Sequence, residues 1–201
     1  MIHHRPQGFD QPLFGHSGLI NSAAVGTSMV LGLRLPLGES NAGITGGFTR
    51  NASIRIDGDG KVFVTVPGLR TSQGIYTSIP TLIAAQLGVT LNEVHLERAG
   101  PKQSFASNET SGPPTIDNSG AVRCALKLLG EAAATARLML IAAAAERWAA
   151  NVRSCHAYEG EVIHTSTWRK LRYGELTIDA AYRPIPNQVE LRLLRVETRV
   201  E

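Results

Sequence analysis

The run Asn118-Ser-Gly-Ala-Val-Arg-Cys-Ala-Leu-Lys-Leu-Leu-Gly-Glu-Ala-Ala-Ala-Thr-Ala-Arg-Leu-Met-Leu-Ile-Ala-Ala-Ala-Ala-Glu-Arg-Trp148 decides the architecture. Val122, Leu126, Leu129, Ala133, Ala136, Leu140, Ala144 and Trp148 recur on one stripe, while Arg123, Lys127, Glu131, Thr135, Glu146 and Arg147 fall elsewhere. Asn118 or Ser119 can cap the start, and no proline stands between Ser119 and Arg153. This pattern predicts one continuous helix of about eight turns. Gly130 is its weak interior point, costing about 1 kcal/mol relative to alanine. The C-terminal half of the stripe is mostly alanine, so whatever packs on it must approach closely.

Strand signals lie on both sides of this helix. Upstream, Ser53-Ile-Arg-Ile56 alternates, Asp57-Gly-Asp-Gly60 supplies turn residues, and Lys61-Val-Phe-Val-Thr-Val66 is β-branched, which predicts a hairpin. Ile75, Ile79, Leu82, Ile83 and Leu87 then recur at helical spacing. Pro80 must sit in that helix's first turn or kink it, and Gly88 is placed as its C-terminal cap. Val94–Arg98 reads as a short strand, and residues 99–117 as a long loop rich in Gly, Pro, Ser and Asn. Downstream come Cys155–Tyr158, the turn Glu159-Gly160 and Glu161–His164, a second hairpin. Tyr173–Ala181 is a short helix ended by Pro184 and Pro186. The expected class is α+β: a mixed sheet of short hairpin strands packed with one long helix and two shorter helices.

Residues 1–47 read as leader and linker. Ser22–Leu33 is small and apolar, too short for a bilayer span but suited to the core of an export signal, here degenerate because basic residues do not directly precede it. Gly38–Gly47 reads as a flexible linker. Residues 48–187 are expected to form the domain and residues 188–201 a charged tail. On this reading, residues before about Gly47 pack poorly.

Several functions are disfavoured by composition. A net charge of +3 with pI near 9.1 is a mild basic excess without a Lys/Arg block, so no nucleic-acid partner is expected. No segment offers a stable membrane span. Cys124 and Cys155 lack ligand spacing, which argues against a zinc or iron–sulfur site and for two buried apolar side chains. His3, His4, His16, His95, His156 and His164 have no nucleophile or carboxylate at a recognisable spacing, so no hydrolytic triad is indicated. The Asp57–Asp59 turn is too short for an EF-hand. No catalytic residue and no metal ligand is assigned. What remains is Gln73-Gly74 at the opening of the first helix, where backbone N–H groups and the dipole suit a phosphate. Asp117-Asn-Ser-Gly120, before the long helix, follows the same logic but also reads as an ordinary cap.

The chain also resembles a known family. Phe48-Thr-Arg-Asn-Ala-Ser-Ile-Arg-Ile56, Val62–Pro67, Ser72-Gln-Gly-Ile-Tyr-Thr-Ser78, Ala134–Trp148, Ser154-Cys155, Gly160-Glu-Val-Ile-His164 and Lys170-Leu-Arg-Tyr-Gly-Glu-Leu176 occur in order. They are similar to the N-terminal part of the molybdopterin-binding large subunit of aldehyde oxidase/xanthine dehydrogenase-type hydroxylases, the isoquinoline 1-oxidoreductase beta-subunit kind. Val30-Leu-Gly-Leu-Arg-Leu-Pro36 resembles the end of the export signal many such subunits carry. That implies a periplasmic location, or a cytoplasmic one if the degenerate signal does not work.

The resemblance implies a molybdenum-hydroxylase oxidoreductase acting on aldehydes or N-heterocycles. Its cofactor is molybdopterin cytosine dinucleotide, and its partners are the remainder of the large subunit and an iron–sulfur small subunit. Gln73 and Gly74 correspond to the end of a Met-Gly-Gln-Gly motif that contacts the cofactor. Thr71 and Ser72 stand where Met and Gly are usual, Arg70 where an acidic residue is common, and Asp117 where a Thr-Gly-Asn-Ser-type stretch has Gly. The family's later cofactor motifs and catalytic glutamate have no counterpart within these residues. The chain is therefore expected to be a truncated subunit, inactive alone. The alternative expectation is a non-catalytic remnant without a specific ligand.

Overall fold

The structure, a computed structural model, describes residues 13–14, 20–33, 52–66, 73–97 and 119–192. Its main sheet joins β1 (Leu13–Phe14), β2 (Ile20–Val25), β3 (Ser28–Leu33), β4 (Ala52–Ile56), β5 (Val62–Thr65) and β6 (Val94–Glu97), in that order. Neighbours are antiparallel through β5, and β5 and β6 are parallel. The crossover between those two is α1 (Gln73–Leu87). A second sheet contains β7 (Cys155–Tyr158), β8 (Glu161–His164) and β9 (Lys170–Arg172), all antiparallel. The long helix α2 (Ser119–Arg147) and the short α3 (Tyr173–Ala181) complete the domain. The α+β class holds, with one helix much longer than the other two.

The period-two pattern of β4 and β5 works as the sequence indicates. Ala52, Ile54, Ile56, Val62, Val64 and Val66 are buried, while Ser53, Arg55, Phe63 and Thr65 are partly exposed on the other face. Asp57 closes the turn by accepting from the Asp59 and Lys61 amides at 3.0 and 2.9 Å.

The helix α2 matches its expected limits and its stripe faces inward, with Leu129, Ala133, Ala136, Leu140 and Ala144 fully buried. Burial extends well beyond the stripe, to Ala132, Ala134, Thr135, Arg137, Met139, Ile141, Ala143 and Ala145. The helix contacts α1, α3, β3, β7 and β8, so it is enclosed rather than laid on a surface. Ala125–Arg147 has the length and hydropathy of a membrane span, but 83% of its apolar window is buried inside the domain, as for a core helix. Thr135, placed off the stripe by periodicity, is buried, with its hydroxyl donating 2.7 Å to the Glu131 carbonyl.

Pro80 lies well inside α1 rather than in its first turn. Gly88 ends that helix at φ +77°, and the Gly88 and Val89 amides both donate to the Ala84 carbonyl, at 2.8 and 3.1 Å.

The stretch Ile20–Leu33 corrects the expectation of a poorly packed leader. It forms the β2–β3 hairpin, turning at Gly26 (φ +59°), with Ile20, Met29, Leu31 and Leu33 in the core. Two buried hydroxyls bond it to α3: Ser22 Oγ donates to the Ala181 carbonyl at 3.0 Å, and Thr177 Oγ1 donates to the Thr27 carbonyl at 2.7 Å. Sheet pairing and polar satisfaction make this hairpin part of the domain. The linker expected at Gly38–Gly47 and the loop at 99–117 lie outside the described residues. The expected charged tail is bonded to the domain at Glu190 and Arg192.

Candidate cofactor-binding site

Gln73 and Gly74 open α1, where the sequence places them, and the first turn carries no acidic residue. The backbone therefore offers helix N-terminal amides and the positive end of the dipole without a competing carboxylate in that turn, which fits an anionic pyrophosphate. Ser119 and Gly120 open α2, also without an acid in the first turn. Asp117 and Asn118, and the departures at Arg70, Thr71 and Ser72, lie outside the described residues.

Two contacts fix how the helices run together. Leu82 of α1 faces Gly130 of α2 so closely that a Cβ at Gly130 would touch its methyl groups at 3.5 and 3.7 Å. Further along both helices, Arg137 of α2 donates 2.7 Å to the Gln86 carbonyl of α1. The sequence therefore advances in the same sense on both. At 1.5 Å per residue, the N-termini lie about 14 Å before Leu82 and about 17 Å before Gly130, at the same end of the pair. The two candidate turns, 46 positions apart in the sequence (119 − 73), therefore lie at the same end of the helix pair.

The opposite end of α1 is tied down by three elements. The Gln86 carbonyl accepts from Arg137 of α2, and the Leu87 carbonyl from the Tyr173 hydroxyl of α3 at 2.5 Å. The Gly88 carbonyl accepts from the Gly160 amide of the β7–β8 turn at 3.0 Å. These carbonyls belong to the set a helix leaves without internal partners. Burial and the neighbouring Arg192 hold the Arg137 guanidinium below the usual arginine range, while burial pushes the Tyr173 phenol well up. Sequence reading missed this anchoring, although Gln86, four residues after Leu82, and Arg137, four after Ala133, fall on the apolar stripes of their helices; they are 1% and 7% exposed. The available signal was that both sit within otherwise apolar runs.

The remaining sequence candidates do not converge. His95, His156 and His164 lie on β6, β7 and β8, as expected. His164 Nδ1 is 2.7 Å from Thr167 Oγ1, and the His95 ring packs against Phe63 at 5.3 Å. Cys155 is a buried free thiol whose pKa is raised by burial; the Cys124 side chain is not among those described. Among the described residues, no group of three or more His, Cys, Asp or Glu could hold a metal ion.

The geometry defines an α+β domain in which α1 and α2 start at the same end. Residues 21–193 match the molybdopterin cofactor-binding domain family, and the chain belongs to it. It is 28% identical over 127 residues to an isoquinoline 1-oxidoreductase subunit beta of Brevundimonas diminuta, covering 63% of this chain but 16% of that subunit. Among solved structures it is similar to quinoline 2-oxidoreductase of Pseudomonas putida 86 (23% identity, TM-score 0.47, 69% of this chain and 18% of the other). It is also similar to a Cu,Mo-CO dehydrogenase (18% identity, TM-score 0.48, 68% and 16%). The chain therefore spans less than a fifth of the length of each of these relatives.

Proposed function

We propose that this chain supplies part of the molybdenum-cofactor surface of an oxidoreductase that hydroxylates aldehydes or N-heterocycles. The observation carrying this reading is the carboxylate-free first turn of α1 at Gln73-Gly74, together with the family match over residues 21–193. In this reading Gln73 and Gly74 present backbone amides to the pyrophosphate of molybdopterin cytosine dinucleotide, with α2's N-terminus at the same end. The bound group supplies the redox centre. This chain binds and orients it, and contributes no catalytic side chain or metal ligand.

The remainder of a large subunit and an iron–sulfur subunit complete the assembly, and the chain alone does not turn over. The family match and the β2–β3 hairpin support a domain that begins near Ile20 rather than Phe48. The test is an assay of the purified chain, alone and after co-expression with those partners, on aldehydes and N-heterocycles with an artificial electron acceptor. Turnover should appear only in the assembly. Turnover by the pure chain, or none by an assembly that forms, contradicts the reading.

A further inference from the structure

The segment that follows α3 returns across the domain and is held chiefly through its backbone. The Gln86 side chain pairs with both backbone groups of Arg192: its Nε2 donates to the Arg192 carbonyl at 2.8 Å, and its Oε1 accepts from the Arg192 amide at 2.9 Å. One residue type thereby reproduces the two-way exchange of a strand neighbour. Arg137 Nη2 donates to the Glu190 carbonyl at 3.1 Å while its Nη1 holds the end of α1. The Arg192 side chain reaches on to the Ala157 carbonyl at 2.8 Å. It also passes over Gly88, where a Cβ would stand 2.5 Å from Nη1.

The receptor side is built and buried, Gln86 being 1% and Arg137 7% exposed, whereas the side chains at 190–192 are all exposed. Arg192 opposes the Arg137 charge and Glu190 favours it more weakly, so hydrogen bonds carry most of the contact. Withdrawing residues 190–192 would strip partners from two buried polar side chains, the costly half of hydrogen-bond energetics.

We propose that Gln86 and Arg137 form a backbone-reading receptor for an extended peptide segment, and that Glu190–Arg192 occupies it as a latch over the C-terminal end of α1. Because the receptor reads main chain, docking does not depend on the side chain at 191 and depends only weakly on the Glu190 charge. Gln86 is indispensable, since among the described residues no other side-chain amide pairs with the Arg192 backbone. Arg137 couples the latch to α1, one guanidinium serving both. This inference is independent of what binds at Gln73-Gly74.

The test is amide hydrogen exchange on the full chain. In the wild type, the Arg192 amide should exchange at least about tenfold more slowly than an unstructured one despite its exposed side chain. Glu190→Gln and Leu191→Ser should leave that protection within about twofold, and Gln86→Leu should abolish it while α2 amides from Ala133 to Ala144 stay protected. A wild-type Arg192 amide exchanging at the free-chain rate overturns the proposal, even if Gln86→Leu fails to fold. Loss of protection in Leu191→Ser equal to that in Gln86→Leu overturns it as well, since it would mean side-chain recognition.

Discussion

The Tyr173 hydroxyl, at the start of α3, donates a buried 2.5 Å hydrogen bond to the Leu87 carbonyl at the end of α1, 86 positions earlier in the chain. This bond joins the two shorter helices directly. Tyr173→Phe keeps the ring but leaves a buried carbonyl without its donor, so it should lower unfolding stability by about 1–3 kcal/mol in denaturant titration.

The same phenol gives stability a pH dependence. Burial is the largest cause raising its pKa in the folded state, with the nearby Arg192 and Arg137 pulling the other way. A group whose folded pKa exceeds its unfolded value contributes stability that is complete below the unfolded pKa and is lost as pH rises toward the folded one. Unfolding free energy should therefore fall above about pH 10, and Tyr173→Phe should flatten that fall. The buried Cys155 thiol, also raised, adds loss of the same sign from a lower pH, and Cys155→Ala separates the two.

Among the described glycines, Gly174 is the one where an added Cβ would come nearest to a neighbouring atom. A Cβ there would collide with the Gly58 carbonyl of the β4–β5 turn, and backbone cannot swing aside as a side chain can. Gly174→Ala should cost about 3 kcal/mol by thermal melting, the upper end for overpacking. The exposed pair Arg147–Asp179, at 2.6 Å on the α2–α3 contact, is a useful contrast, since Asp179→Asn should cost less than about 1 kcal/mol.

Ala136 and Ala144 are fully buried on α2. Ala136→Phe and Ala144→Phe should each lower stability by about 1–3 kcal/mol, with unchanged melting meaning that the alanine face is open. This helix was legible because a proline-free run with apolar residues at three- and four-residue intervals admits few other structures. The β4–β5 and β7–β8 hairpins were legible from Asp57–Gly60 and Glu159-Gly160, and the latter turn takes φ +46° and +73°.

The β2–β3 hairpin was not legible, for a definite reason. Leu31, Gly32 and Leu33 are all buried, and Ser22 is a buried polar residue satisfied by the Ala181 carbonyl, so the two-residue alternation disappears. What remained was Gly26-Thr27 between two apolar runs, a turn signal that composition outweighed. Leu31→Ala should cost about 2–5 kcal/mol, whereas a leader outside the core would tolerate it. Candidate site residues at the start of α1 were visible as Gln-Gly. That α2 starts at the same end required the Leu82–Gly130 and Gln86–Arg137 contacts, which no local pattern encodes.

On the proposed reading, the Gln73-Gly74 turn helps hold a molybdenum–pterin dinucleotide. Its most direct test is molybdenum and cytosine nucleotide content of the chain purified in assembly with the partner subunits, compared with the same assembly carrying Gly74→Val. A Cβ branch at that turn obstructs backbone approach while leaving the buried anchors at Gln86, Leu87 and Gly88 intact. The parent assembly should carry stoichiometric molybdenum and nucleotide, and the variant about tenfold less or lower, with α2 exchange protection unchanged. Equal molybdenum and nucleotide content in both assemblies would contradict it.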